Sequence, residues 1–173
     1  MDLELVATTA SDAPTLRNLL QLYMYDFSEF MGWDVGADGR FDDRGVAPLR
    51  NDPLRHPFLI RVGGQLAGLV IVDQQSRLWP AEPASDVAEF FILRRYRRLG
   101  VGARAATQVF DRFRGRWEVR QTASNTAATA FWRKVIGAYC GGSFRELVLA
   151  DERWRGPVQL FDNTNRSAST LGP

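Results

Sequence analysis

The sequence predicts an α/β protein of the α+β kind, with about seven strands and helices interleaved among them. Three observations carry this. Short apolar or alternating runs interleave with segments of helical spacing in the order β-α(α)-β-β-β-α-β-α-β-β. Residues 58–62 and 65–73 are apolar runs separated by Gly63-Gly64, the mark of a hairpin. Residues 87–93 form a further apolar run, which leads through a basic, glycine-containing turn into helical spacing from Ala103.

Residues 3–9 alternate apolar and polar, with β-branched residues late in the run, and read as the first strand. Ser11 or Asp12 then caps a helix with Pro14 in its first turn. Leu16, Leu19, Leu20, Tyr23 and Met24 recur at helical spacing, and the helix continues, or breaks and restarts, through residues 26–30. Glycine and aspartate end the pattern over residues 32–43, and residues 34–52 read as a loop with one short turn. After the hairpin, residues 74–85 form a polar loop with Pro80 and Pro83 before the fourth strand at 87–93. A helix over 103–114 places Ala106, Val109, Phe110 and Phe113 on one face and stops at Gly115. Residues 117–122 are the fifth strand. Asn125 caps or precedes a helix over 126–136, which Gly137 stops. Two last strands, 143–150 and 157–161, flank a turn at Asp151-Glu152. Residues 1–162 read as one domain, and residues 163–173, nearly without apolar content, as a loose tail.

Composition narrows the function. The formal net charge is only +2, so bulk charge does not point to nucleic acid. Lys134 is the sole lysine among 22 basic residues, a bias read first as base composition. Cys140 is the only cysteine, which excludes an internal disulfide and fits a reducing compartment. His56 is the only histidine, so no zinc site of His and Cys, and no metal, is expected. No apolar run is long enough to span a membrane, and Met1-Asp2-Leu3-Glu4-Leu5 does not start a secretory signal. The expectation is a cytoplasmic protein with neither a membrane nor a nucleic-acid partner.

The turn Arg97-Arg98-Leu99-Gly100-Val101-Gly102-Ala103 carries the chemistry. Its glycines admit a ligand close to the backbone. The helix behind presents bare N–H groups and the positive end of its dipole, which suits a phosphate. Arg94, Arg95, Arg97, Arg98 and Arg104 crowd the same place. The spacing is neither a Walker loop nor a dinucleotide fingerprint. A loop that merely turns the chain is the alternative. Arg-x-x-Gly-x-Gly between a strand and a helix resembles the acyl-CoA signature of the GNAT superfamily of N-acyltransferases. Asn125-x-x-Ala128-x-x-Phe131-Trp132 resembles that superfamily's second motif, and the order of elements matches over nearly the whole chain.

The resemblance implies a mostly antiparallel sheet splayed between strands 4 and 5, with acetyl-CoA as co-substrate and an amine as acceptor. The pyrophosphate would lie over Arg97, Arg98, Leu99, Gly100, Val101, Gly102 and Ala103. The pantetheine arm would pair with main-chain atoms of Phe91, Ile92 and Leu93, which on the bland reading are core strand. Asn125 would reach the arm, cap its helix, or both. Glu89, a charge inside an apolar strand, is the preferred general base; the alternatives are Asp86, solvent, or a purely structural pair of Glu89 with Arg120. Trp132 stands where many such enzymes carry an acidic Tyr, and its indole is a donor but not a usable proton source. Tyr139 is the nearest substitute in sequence. Either it serves as the acid, or it is structural and the thiolate leaves largely unassisted. Tyr23, Tyr25, Asp26 and Glu29 would meet a cationic acceptor, unless they are core aromatics with a solvated acidic edge. The resemblance leaves monomer and homodimer open. A non-catalytic acyl-CoA-binding module is the competing function.

Overall fold

The computed structural model describes residues 2–43 and 52–165. Its elements are β1 (Leu3–Ala7), α1 (Ala13–Met31), β2 (Arg55–Val62), β3 (Gln65–Asp73), β4 (Ser85–Ile92), α2 (Val101–Arg112), β5 (Arg116–Arg120), α3 (Thr126–Tyr139), β6 (Arg145–Ala150) and β7 (Arg155–Asp162). The sheet has seven strands in the order β1-β2-β3-β4-β5-β7-β6. It is mostly antiparallel with one parallel pair, β4 with β5, whose register runs over Ser85↔Trp117 and Asp86↔Glu118. Among the described residues no helix is long and apolar enough to cross a membrane.

The chain divides into two compact units. One comprises Met1–Asp73 and Ala88–Gly102, the other Gln74–Val87 and Ala103–Pro173. In the first, the apolar stripe of α1 at Leu16, Leu19, Leu20, Tyr23 and Met24 packs on Leu59, Leu69, Ile71 and Phe91. The helix is continuous through residues 26–30. Gly32, with φ +64°, receives its end, so the open choice between one helix and two resolves as one. In the second unit, Phe110 of α2 is the hub. Its ring meets Trp117 of β5 at 4.9 Å, Tyr139 of α3 at 5.0 Å and Phe161 of β7 at 4.9 Å.

Three expectations need correction. Gly137 does not stop α3, which runs on to Tyr139, because the helical backbone tolerates one glycine at a modest propensity cost. The chain turns instead at Gly141 and Gly142, both with positive φ. Asn163 is not part of a loose tail. It is buried, and its Nδ2 donates to the carbonyls of Phe110 at 2.7 Å and Phe113 at 3.2 Å. The third concerns α2, which begins at Val101 and not at Ala103, so Gly102 sits inside its first turn. Residues 44–51 of the expected loop and 166–173 of the expected tail lie outside the described residues.

One contact in the first unit leaves no room for a side chain. A Cβ built on Gly68 would lie 2.0 Å from the Phe91 carbonyl oxygen. Strand β3 needs that close approach, since the Leu93 amide donates to the Ala67 carbonyl at 2.8 Å. Gly68→Ala should therefore destabilise the protein by about 2–4 kcal/mol. Denaturant unfolding measures the loss, and a wild-type midpoint would show that β3 shifts freely.

Candidate active site

The basic turn is built within the first unit. Strand β4 ends at Ile92, and a 3-10 turn over Arg94–Tyr96 redirects the chain. Arg98 and Gly100 then take left-handed backbone, with φ of 61° and 77°. The glycine does so without a steric cost, whereas Arg98 is strained by about 1 kcal/mol. The amides of Arg98, Leu99 and Gly100 donate to no described residue. Those of Val101 and Gly102 open α2. The result is a run of outward N–H groups at a helix start, which is the form an anion seat takes.

The side chain of Arg97 turns away from those amides. Its Nε donates to the Ile92 carbonyl at 2.7 Å, and its guanidinium lies 5.6 Å from the centre of the Phe91 ring. Its Nη2 donates to Asp26 of α1. Arg94 reaches the other oxygen of the same carboxylate, with Nη2 at 2.8 Å and Nε at 3.2 Å. Partial burial pushes the Asp26 carboxyl up, but the bonds from Arg97 and Arg94 outweigh this and hold it below the ordinary range. Of the expected acceptor residues, then, Asp26 faces the arginines of the turn. Tyr23 is buried, with its ring 6.0 Å from that of Phe91, while Glu29 is exposed. Phe91 and Ile92 are buried, and Glu89 and Leu93 are half-buried.

The second unit holds the remaining expected residues. Asn125 caps α3, its Oδ1 accepting from the Ala128 amide at 3.0 Å. Trp132 is buried against Phe110 and Phe131. Tyr139 is buried as well; its hydroxyl donates to Asp111 at 2.8 Å and accepts from Asn163 Nδ2 at 3.2 Å. Cys140 donates its S–H to the Ile136 carbonyl at 3.0 Å. Among the described residues no cluster of His, Cys, Asp and Glu has the makings of a metal site.

Sequence reasoning missed a charged cluster in this unit. Arg120 grips Asp86 with Nε at 3.0 Å and Nη2 at 2.6 Å. So a strand arginine does pair with a β4 carboxylate, and Asp86 is that carboxylate. Beside it, Glu118 accepts from Ser76 Oγ at 2.5 Å and from the amides of Arg77 at 3.1 Å and Leu78 at 3.4 Å. Glu118 thereby ties the loop after β3 to β5. Burial pushes its carboxyl up, these bonds resist, and the neighbouring Asp86 charge adds to the rise. The only sequence signal was a charge in an apolar strand, which names no partner.

Comparison with known proteins supplies an independent reading. The sequence pattern described as the Acetyltransferase (GNAT) family matches residues 14–138. No curated protein matches in sequence. Among solved structures, an acetyltransferase from Thermus thermophilus superposes with a TM-score of 0.65 at 20% identity, over 94% of this chain and 97% of that one. A single-residue mutant of the SpeG spermidine N-acetyltransferase from Vibrio cholerae gives 0.59 at 13%, over 91% of each chain. The ribosomal-protein-S18-alanine N-acetyltransferase from Escherichia coli gives 0.58 at 12%, over 99% of this chain and 100% of that one. At these identities the likeness is one of fold.

Two measurements follow from the second unit. Tyr139→Phe strips Asp111 and Asn163 of a buried partner and should cost about 1–3 kcal/mol, read by urea unfolding. Glu118 gives a pH signature. Its folded value is raised above the ordinary 4.5, so its contribution to stability is intact below that value and is lost as pH climbs through the folded value. Glu118→Gln should remove that loss, so the variant gains on wild type as pH rises from the acid range to neutrality. A stability difference that stays flat over this range would show Glu118 to be unshifted.

Proposed function

This chain belongs to the acetyltransferase (GNAT) family, and we propose that it moves the acetyl group of acetyl-CoA to a primary amine by direct attack on the thioester. The observation that carries this is the turn after β4. Left-handed backbone at Arg98 and Gly100, and amides at Arg98, Leu99 and Gly100 that donate to no described residue, suit a pyrophosphate. Arg97, Val101, Gly102 and Ala103 complete that seat. Main-chain atoms of Phe91, Ile92 and Leu93 are assigned to the pantetheine arm. The Ile92 carbonyl already accepts from Arg97, and the Leu93 amide already donates to Ala67, so other main-chain atoms of the strand take the larger share. Asn125 uses its Oδ1 for the cap of α3.

An amine and a thioester react once they are held together and the amine has lost its proton. Glu89 is our candidate base. Asp86 is a poorer one, because both its oxygens already accept from Arg120. Tyr139 is likewise poorly suited as the acid, since its hydroxyl proton is donated to Asp111. Trp132 supplies no proton. A thiolate with an ordinary pKa of about 8.5 is a fair leaving group, so we assign no acid and let solvent protonate it. The acceptor is a primary amine approaching from the side of α1, where Glu29 is exposed. The second reading, a module that binds acyl-CoA without turnover, draws on the same tyrosine.

Release of free CoA thiol with a panel of amines tests the reaction. Gly102→Asp should abolish CoA binding by placing bulk and negative charge at the seat. Glu89→Gln should lower kcat by roughly 10²- to 10⁴-fold and leave CoA affinity near wild type, with partial recovery at high pH. Wild-type affinity in Gly102→Asp would sink the phosphate assignment. CoA binding without turnover of any amine would favour the module.

A further inference from the structure

Asp26 stands out in the first unit as a carboxylate serving two arginines of the anion-binding turn. The family's pattern starts with an arginine, here Arg97, and its charge alone reads as a direct ligand for phosphate. The geometry differs. Arg97 has its guanidinium between the Asp26 carboxylate, the Ile92 carbonyl and the face of Phe91. Those partners lie on α1 and at the end of β4, so the side chain is a strut joining a helix to a strand end just before the turn. Arg94 shares the carboxylate but is 72% exposed, against 40% for Arg97 and 16% for Asp26. Solvent screens the Arg94 arm, so the Arg97 arm carries most of the effect.

We infer that Asp26 is a positioning residue for the cofactor turn: it locks Arg97, and with it the backbone that aims the amides of Arg98, Leu99 and Gly100. This rests on the proposed reading that the turn holds the pyrophosphate. Arg98 is the one non-glycine residue with positive φ among those described, and it directly follows the strut. A strained residue keeps its conformation only where its surroundings over-determine it. Asp26, through Arg97, supplies that constraint from one side and the start of α2 supplies it from the other.

Two probes on the full chain test this, one of them independent of the cofactor. The turn carries trypsin sites after Arg94, Arg95, Arg97 and Arg98, so brief trypsin digestion of the protein alone reports how firmly it is held. Asp26→Asn should speed cleavage there about tenfold and raise the calorimetric Kd for CoA about tenfold, the scale of a lost hydrogen bond to a charged group. Asp26→Glu should recover most of both. The double variant Asp26→Asn/Arg97→Gln should be no worse than either single one, because both remove the same strut. If Asp26→Asn does not fold, Arg97→Gln carries the test, with cleavage read after Arg94, Arg95 and Arg98. Unchanged cleavage and affinity, or additive losses in the double variant, would overturn the inference. So would tighter CoA binding by Asp26→Asn, which would make Asp26 a competing anion. If wild type binds no CoA, the cofactor reading fails, and the trypsin arm alone decides the role of Asp26.

Discussion

Asp86 is almost wholly buried, and burying a carboxylate is costly unless a cation is held against it. Arg120 is that cation, with two of its nitrogens on the two carboxylate oxygens. The pair joins the start of β4 to the end of β5, in the one parallel pair of the sheet. Parallel pairing over two residues would be a weak joint by itself. Removing one partner of such a buried pair costs about 3–5 kcal/mol, because the other charge is stranded. The Arg153–Asp151 pair has a similar distance, but both its side chains are well exposed and solvent screens it. The second unit therefore leans on Asp86–Arg120 far more than on its surface ion pairs.

From that pair a polar chain runs through the rest of the unit. The Arg120 guanidinium lies 4.5 Å from the centre of the Trp154 ring, and the Trp154 indole donates to the Gln121 carbonyl at 3.0 Å. Gln121 Nε2 donates to Gln159 Oε1 at 2.8 Å, and Gln159 Nε2 to Glu146 at 2.9 Å. Glu146 in turn takes the fork of Arg133 on α3. Strands β4, β5, β7 and β6 and helix α3 are thus tied by one run of donors and acceptors, in which Gln121 Oε1 alone meets no described partner. Apolar packing about Phe110 fills the space, and this chain fixes the register.

Periodicity was enough to read the order of strands and helices. The stripe Leu16, Leu19, Leu20, Tyr23, Met24 and the pair Gly63-Gly64 each have a single physical solution, so the strand and helix order was legible. The turn was legible too, because glycine spacing next to a helix start limits what the backbone does there. The polar partners were not. Asp86, Glu89 and Glu118 all look alike in sequence, as charges within strands. Only the folded chain shows that Asp86 meets Arg120 and that Glu118 meets Ser76. Asp26 and Arg97 are far apart in the chain, and no local spacing couples them. Gly137 misled because helix propensity costs about 1 kcal/mol at one glycine, while the ring of Tyr139 two residues on packs against Phe110 and Phe161. Packing outweighs that cost.

Counting arginines near the turn overstates the field an anion would meet there. Arg94 and Arg97 share the carboxylate of Asp26, so the charge of this trio is +1 and not +2, and it is drawn toward α1. Positive potential over the turn then depends more on what the backbone does. Partial charges on a few aligned amides, together with the start of α2, act at contact distance and are not diluted by side-chain motion. Exposed arginines such as Arg95 and Arg98 lose rotamer entropy on approaching an anion, and salt screens them. A seat made of backbone keeps its geometry as side chains change, provided something fixes the backbone. In this chain the ion pair that costs the turn a free charge is also a contact that holds its shape.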